Sequence, residues 1–140
     1  MGQKIDAKFG GYVAIPFGVA NLDSSLTNGT MTIGGTAAQN VEIVVPFAGS
    51  LVGIGVKGNA AATAGTAAFT AVVDGTRYSS LAATVTTAAA NTQKATATSD
   101  VGEIKFAAGA TVAVQAVTST TFAPTTVEYD AILYIQLDND

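Results

Sequence analysis

The chain contains no histidine, no cysteine and no tryptophan, and only 11% of its 140 residues are charged. Each absence removes chemistry. Without cysteine there is neither a disulfide framework nor a zinc site of the usual ligand set. Ser-His-Asp and Cys-His nucleophile arrangements need side chains that are not here. An ordinary domain carries about a quarter charged residues, so much of this surface must be uncharged. The six basic residues, Lys4, Lys8, Lys57, Arg77, Lys94 and Lys105, are scattered, and ten acidic residues bring the net charge to −4. Nucleic acid requires clustered Lys and Arg, so it is not expected as a partner. No apolar run reaches the length of a membrane-spanning helix without interruption by Gly, Thr, Asn or charge. The opening MGQKIDAKFGG lacks the unbroken apolar core of a secretory signal. The expectation is a protein that is not an enzyme, takes no cofactor or metal, and avoids membranes.

What is present is a recurring period-2 pattern of β-branched and aromatic residues, within 49% apolar residues overall. Tyr12 to Val19 places Val13, Ile15, Phe17 and Val19 on one face. Val41 to Val45 alternates Val41, Ile43 and Val45 with Glu42 and Val44. Leu51 to Lys57 sets Val52, Ile54 and Val56 against Gly53 and Gly55. Thr66 to Val73 gives Phe69 and Val73 opposite Thr70 and Val72. Val101 to Phe106 sets buried Ile104 and Phe106 against exposed Glu103 and Lys105. Thr111 to Thr118 carries Val112 and Val114, and Val127 to Leu137 is the longest run. Asn28-Gly29 and Asp74-Gly75 suit two-residue hairpins with positive φ. Ala48-Gly49-Ser50, Ala107-Ala108-Gly109 and Ala123-Pro124-Thr125 mark further turns. Val, Thr and Gly are dense where a helix would need unbranched side chains. The runs Ala60–Ala62 and Ala88–Ala90 are too short and too flanked by Thr, Gly or Asn to be helices, and read as loops. About eight short strands at this spacing imply a single all-β domain, a sandwich or barrel.

Two segments stand apart. Residues 1–10 carry Lys4, Ile5, Asp6, Lys8 and Phe9 and read as an N-terminal arm before a domain over 11–140. Residues 79–100 are almost entirely Ala, Thr and Ser, which suggests a weak strand and then a mobile loop. The last strand is apolar on both faces: Val127, Tyr129, Ala131, Leu133, Ile135 and Leu137 on one, Ile132 and Tyr134 on the other. A two-layer sandwich buries one side of each strand, so Ile132 and Tyr134 point to a contact between subunits.

Candidates for chemistry are few. Glu128 and Asp130 are two apart on one strand face, where paired carboxylates can serve acid–base catalysis, but no aromatic or polar cleft accompanies them. Asp138, Asn139 and Asp140 offer oxygen ligands, yet without the Gly and bidentate Glu of a calcium loop. The glycines from Gly53 to Gly58 precede no helix and so form no phosphate loop. With only Tyr12, Tyr78, Tyr129 and Tyr134 beside the phenylalanines, a sugar-stacking platform is weakly supported.

The stretch PFAGSLVGIGVKGNAAATAGTAAFTAVVDGT over residues 46–76, with EIKFAAGATVAVQAVTSTTFAPTTVEYDAILYIQL over 103–137, resembles the small jelly-roll proteins of tailed bacteriophages. The likeness lies in a P-x-A-G-x-L turn, a T-A-G-T loop, a V-D-G hairpin, an F-A-A-G-x-x-V-x-V strand and an A-P-T-T turn. It spans about residues 41–137; the first forty residues carry none of these signatures. The resemblance implies a TNF/C1q-like jelly roll forming a homotrimer about its C-terminal strand, with Tyr129, Ile132, Tyr134 and Gln136 at the trimer interface. It further implies a capsid decoration (cement) protein on the outer surface of the virion, bound to the major capsid protein. Residues Lys4, Ile5, Asp6, Lys8 and Phe9 would then form a capsid-contacting arm. The alternative within the same resemblance is a trimeric receptor-binding domain of a tail fibre or tail tip.

Overall fold

The computed structural model describes residues 12–27, 29–31 and 42–138. The proposed arm, Asn28 and the Asn139-Asp140 pair lie outside the described residues. Among those described there is no helix, and ten strands follow in order. They are β1 (Tyr12–Val19), β2 (Gly29–Thr30), β3 (Ile43–Val45), β4 (Gly49–Gly58) and β5 (Ala67–Val73). Then come β6 (Thr76–Val85), β7 (Lys94–Thr98), β8 (Lys105–Phe106), β9 (Ala110–Thr118) and β10 (Tyr129–Leu137). The count exceeds the expected eight because β2 and β8 are two-residue pieces.

Pairing is antiparallel throughout and nested. The first strand pairs with the last, β2 and β3 with β9, β4 with β7 and β8, and β5 with β6. Two further pairings, β10 with β4 and β9 with β5, join these ribbons into two five-stranded sheets. The first sheet runs β1-β10-β4-β7 with β8 at the start of β4; the second runs β2-β9-β5-β6 with β3 on β9.

Alternation fills the space between the sheets. In β10, Tyr129, Ala131, Leu133 and Ile135 are buried, while Asp130, Ile132 and Tyr134 face out. Phe69 of β5 meets the Tyr129 ring at a centroid distance of 5.0 Å, and Phe122 meets it at 6.3 Å. This tilted cluster bridges the sheets, with geometry favoured by the ring quadrupoles. Gly58 leaves room for it: a Cβ there would stand 2.6 Å from the Tyr129 ring.

Several local expectations change. In β4 the core position belongs to Leu51 rather than Val52. Tyr134 pairs with Gly53 but Ile135 with Leu51, so Val52 is a bulge residue and alternation resets around it. The described residues on either side of Asn28 pair with β9: Gly29 pairs with Ala116, Thr118 N–H donates to Leu26 O (3.0 Å) and Met31 N–H donates to Val114 O (2.8 Å). The expected Asn28-Gly29 turn itself falls partly outside the described residues. The buried Thr118 hydroxyl donates to Asp23 O (2.7 Å) and accepts from Leu26 N–H (2.9 Å), tying the preceding loop down. Val101 to Phe106 is a turn with only Lys105–Phe106 in a strand, because Gly102 at φ 89° breaks the run.

Residues 79–100 are mostly sheet. β6 extends to Val85, burying Leu81, Ala83 and Val85, and β7 takes 94–98. Methyl-sized side chains suffice because β7 lies at the edge of its sheet, where only Ala95 and Ala97 lean on the core. Asp74-Gly75 does form the expected tight turn, with both residues at positive φ (47° and 79°). Asp74 Oδ1 accepts from Thr111 N–H (2.9 Å), anchoring it to β9.

Gly65 and Gly75 separate two costs. Both have positive φ, but a Cβ at Gly65 would collide with Ser119 Oγ and the Phe122 backbone, whereas at Gly75 it meets nothing. Gly65→Ala is expected to lose about 2–4 kcal/mol, adding overpacking to the left-handed penalty, and Gly75→Ala only about 1–2 kcal/mol. Urea unfolding midpoints compare them directly; equal losses would contradict the packing assignment.

Candidate functional site

The second sheet buries residues on both sides of β5 and β9, Val72 and Ala113 as well as Phe69 and Val112. The first sheet leaves its outer side chains accessible, and the site is sought there. In the first sheet the outward side chains form four rows set by register. Tyr12 stands beside Gln136 and Ser50. Ala14, Tyr134, Gly53 and Thr98 make the second row, Pro16, Ile132, Gly55 and Thr96 the third, and Gly18, Asp130, Lys57 and Lys94 the fourth. Small neighbours leave Tyr134 and Ile132 prominent, at 39% and 38% exposure. A Cβ on Gly55 would meet nothing, and one on Gly53 would make ordinary contacts with the Tyr134 side chain (3.6 Å) and the Ala97 carbonyl (3.7 Å).

Tyr12, Tyr134, Gly53, Val52, Thr98, Ser99, Asp100 and Val101 enclose a groove of about 400 Å³. Its far wall is a built turn. Ser99 N–H donates to the carbonyl of the bulged Val52 (3.0 Å), and Gly102 N–H donates to the buried Ser50 Oγ (2.9 Å). A second hollow of about 310 Å³ opens on the other side of β1, where the sandwich mouth lies between β1, β10 and β3. Its lining of Val13, Ile15, Ile43, Val44, Val45, Pro46, Phe47, Ile135 and Leu137 is wholly apolar.

Among the described residues, seven large apolar side chains are exposed: Tyr12, Val13, Val44, Phe47, Val101, Ile132 and Tyr134. Six of them line these two hollows, and Ile132 is Tyr134's neighbour on the same strand face. Scattered surface apolar residues carry no message, but a contiguous set does. This is the candidate site, two hollows on either side of the edge strand β1, one wholly apolar and one with Thr98, Ser99 and Asp100 among its walls.

The four residues expected at an interface divide. Ile132 and Tyr134 are on the outer face, and Gln136 lies in the Tyr12 row, partly buried. Tyr129 does not join them. Odd and even positions of a strand face opposite ways, and Tyr129 is on the core side with 0% exposure, so its ring has no surface to offer another subunit. Sequence reasoning missed Tyr12, Val44, Phe47 and Val101. Phe47 carried a readable signal, an aromatic residue directly after Pro46 in a turn.

Groups suited to chemistry are dispersed. Glu128 and Asp130 are both exposed, and Glu128 N–H donates to Asn59 Oδ1 (3.1 Å) at the strand start. No three potential metal ligands gather among the described residues. No family model matches the chain, and no curated protein matches it.

Among the described residues the buried Tyr129 hydroxyl finds no hydrogen-bond partner, and burial raises its pKa above the ordinary 10.0. The unfolded chain therefore releases this proton first, and stability falls as pH rises above about 10. Tyr129→Phe removes the orphaned hydroxyl. It is expected to leave stability equal or about 1 kcal/mol higher at pH 8 and to lessen the alkaline loss. Urea midpoints at pH 8 and pH 10.5 test this; a variant much less stable at pH 8 would mean the hydroxyl has a partner.

Proposed function

We propose that this chain is a structural protein that assembles with copies of itself, and that it serves as a homotrimeric decoration protein on the head of a tailed bacteriophage. The observation that carries the reading is the gathering of the exposed large apolar side chains in and beside two hollows that flank β1. Leaving that surface in water is costly at about 25 cal/mol per Å², and a covering subunit recovers the cost.

The nested order of strands supports a jelly roll, since that fold is a long antiparallel ribbon wound so that first and last strands pair. It agrees with the phage-like turn signatures over residues 41–137. Threefold symmetry suits the surface as well. A cyclic trimer needs two different patches, one meeting the other on the next subunit. The Tyr12–Tyr134 groove and the Phe47 hollow lie on either side of β1 and supply such a pair.

A decoration role follows from the same physics. A protein that binds only the assembled shell stabilises it by its binding free energy, and threefold repetition turns weak contacts into firm attachment. Ile132, Tyr134 and Gln136 would lie at the trimer contact, and residues 1–10 would reach the major capsid protein. No turnover is required.

Light scattering should give a trimer, and the protein should bind saturably to mature capsids that lack it. A monomer at high concentration that ignores such capsids would overturn the proposal. Tyr134→Asp would place a charge in a covered apolar surface, costing several kcal/mol per interface. Native mass spectrometry should show the variant as a monomer; an intact trimer would remove Tyr134 from the interface.

A further inference from the structure

At the opposite end of the first sheet's outer face, Lys57 of β4 stands directly across from Lys94 of β7, and both are exposed. Like charges in directly opposed positions work against strand pairing. In a chain with six basic residues, two are set face to face. Asp130 of β10 flanks Lys57 on its other side, yet neither lysine side chain makes a hydrogen bond or ion pair among the described residues. Lys94, on the edge strand, has only Lys57 beside it in the sheet.

The two lysines border a hollow of about 250 Å³ completed by Ala89, Ala90, Thr92 and Gln93. Its rim is fixed. Thr86 N–H donates to Asn91 O (3.0 Å) and Asn91 N–H to Ala88 O (2.8 Å), closing the turn. Gly58 N–H donates to Gln93 O (2.8 Å), Gln93 Nε2 donates back to Gly58 O (2.9 Å), and Ala62 N–H donates to Thr92 O (2.5 Å). The rim is thus stapled to the end of β4, and an incoming group would have little ordering to impose.

The hollow would hold about eight waters at ~30 Å³ each, more than a bare ion needs. It is too small and concave for a flat protein surface. Two alanine methyls offer an apolar wall to one side of a ring, the Thr92 hydroxyl and Gln93 side-chain oxygen offer polar contacts, and the ammonium groups offer positive charge. We propose that this hollow binds a carboxylate-bearing sugar unit, with the carboxylate between Lys57 and Lys94 and the ring against Ala89 and Ala90. The site lies about 13 Å from Tyr134 along the strands, one row beyond Ile132, and its test does not depend on whether the chain trimerises.

The test is a ¹⁵N–¹H NMR titration of the whole chain with glucuronate and with N-acetylneuraminate, beside glucose and acetate as controls. At least one acidic sugar should shift resonances of residues 57–58 and 86–94, with affinity falling as salt is raised. Lys94→Gln should weaken binding about tenfold, the loss of one charge-assisted contact, and Lys57→Gln with Lys94→Gln should abolish it. Both variants should keep the dispersed spectrum and, relieved of repulsion, a thermal midpoint no lower than the parent's at low salt. The proposal is overturned if neither acidic sugar shifts these residues at millimolar concentration, or if acetate matches them, which would mean a simple anion site. It is also overturned if the folded double variant titrates like the parent.

Discussion

The pairing of β10 with both β1 and β4 is the constraint on which the structure rests. With no helix among the described residues, backbone groups must find partners in other strands, and here many come from far along the sequence. β10 holds the centre of the first sheet, and its inward residues Tyr129, Ala131, Leu133 and Ile135 meet the second sheet across the core. Its register also fixes the outside. Because Ile132 lies beside Gly55 and Tyr134 beside Gly53, the two large outward apolar side chains of β10 each have a glycine neighbour on β4. One pairing therefore sets the interior cluster and the exposed apolar face at once.

The same strand shows how far sequence reasoning reached. Alternation from Tyr129 to Ile135 assigned core and outward sides correctly, and Ile132 and Tyr134 were legible as surplus apolar surface. Placing Tyr129 with them conflicted with that same alternation. What escaped was whatever depended on a partner strand. The bulge at Val52 arises from how β4 meets β10, so period-2 counting within β4 alone chose Val52 over Leu51. Gly29 looked like a hairpin glycine because Asn-Gly favours positive φ, yet the neighbouring strand β9 takes its backbone. Residues 94–98 have too little side-chain mass to announce a strand, and β4 recruits them by main-chain pairing.

The outer face of the first sheet divides its labour by position. At one end stand the aromatic rings of Tyr12 and Tyr134. At the other, Asp130, Lys57 and Lys94 form a charged row. Pro16, Ile132, Gly55 and Thr96 form the row nearest the charged end. Apart from Asp100 at the groove wall, the described rows between Tyr12 and Ile132 carry no charge, so a surface meeting them desolvates few ions.

The nesting of the strands also has a consequence for biogenesis. β1 acquires its partner only when residues 129–137 have been made, so during synthesis the first strand waits for about a hundred further residues. Folding of such long-range topologies is slow. In that interval the apolar side of β1 is open to any passing edge, which makes crowding by sister nascent chains the most hazardous moment in this protein's life.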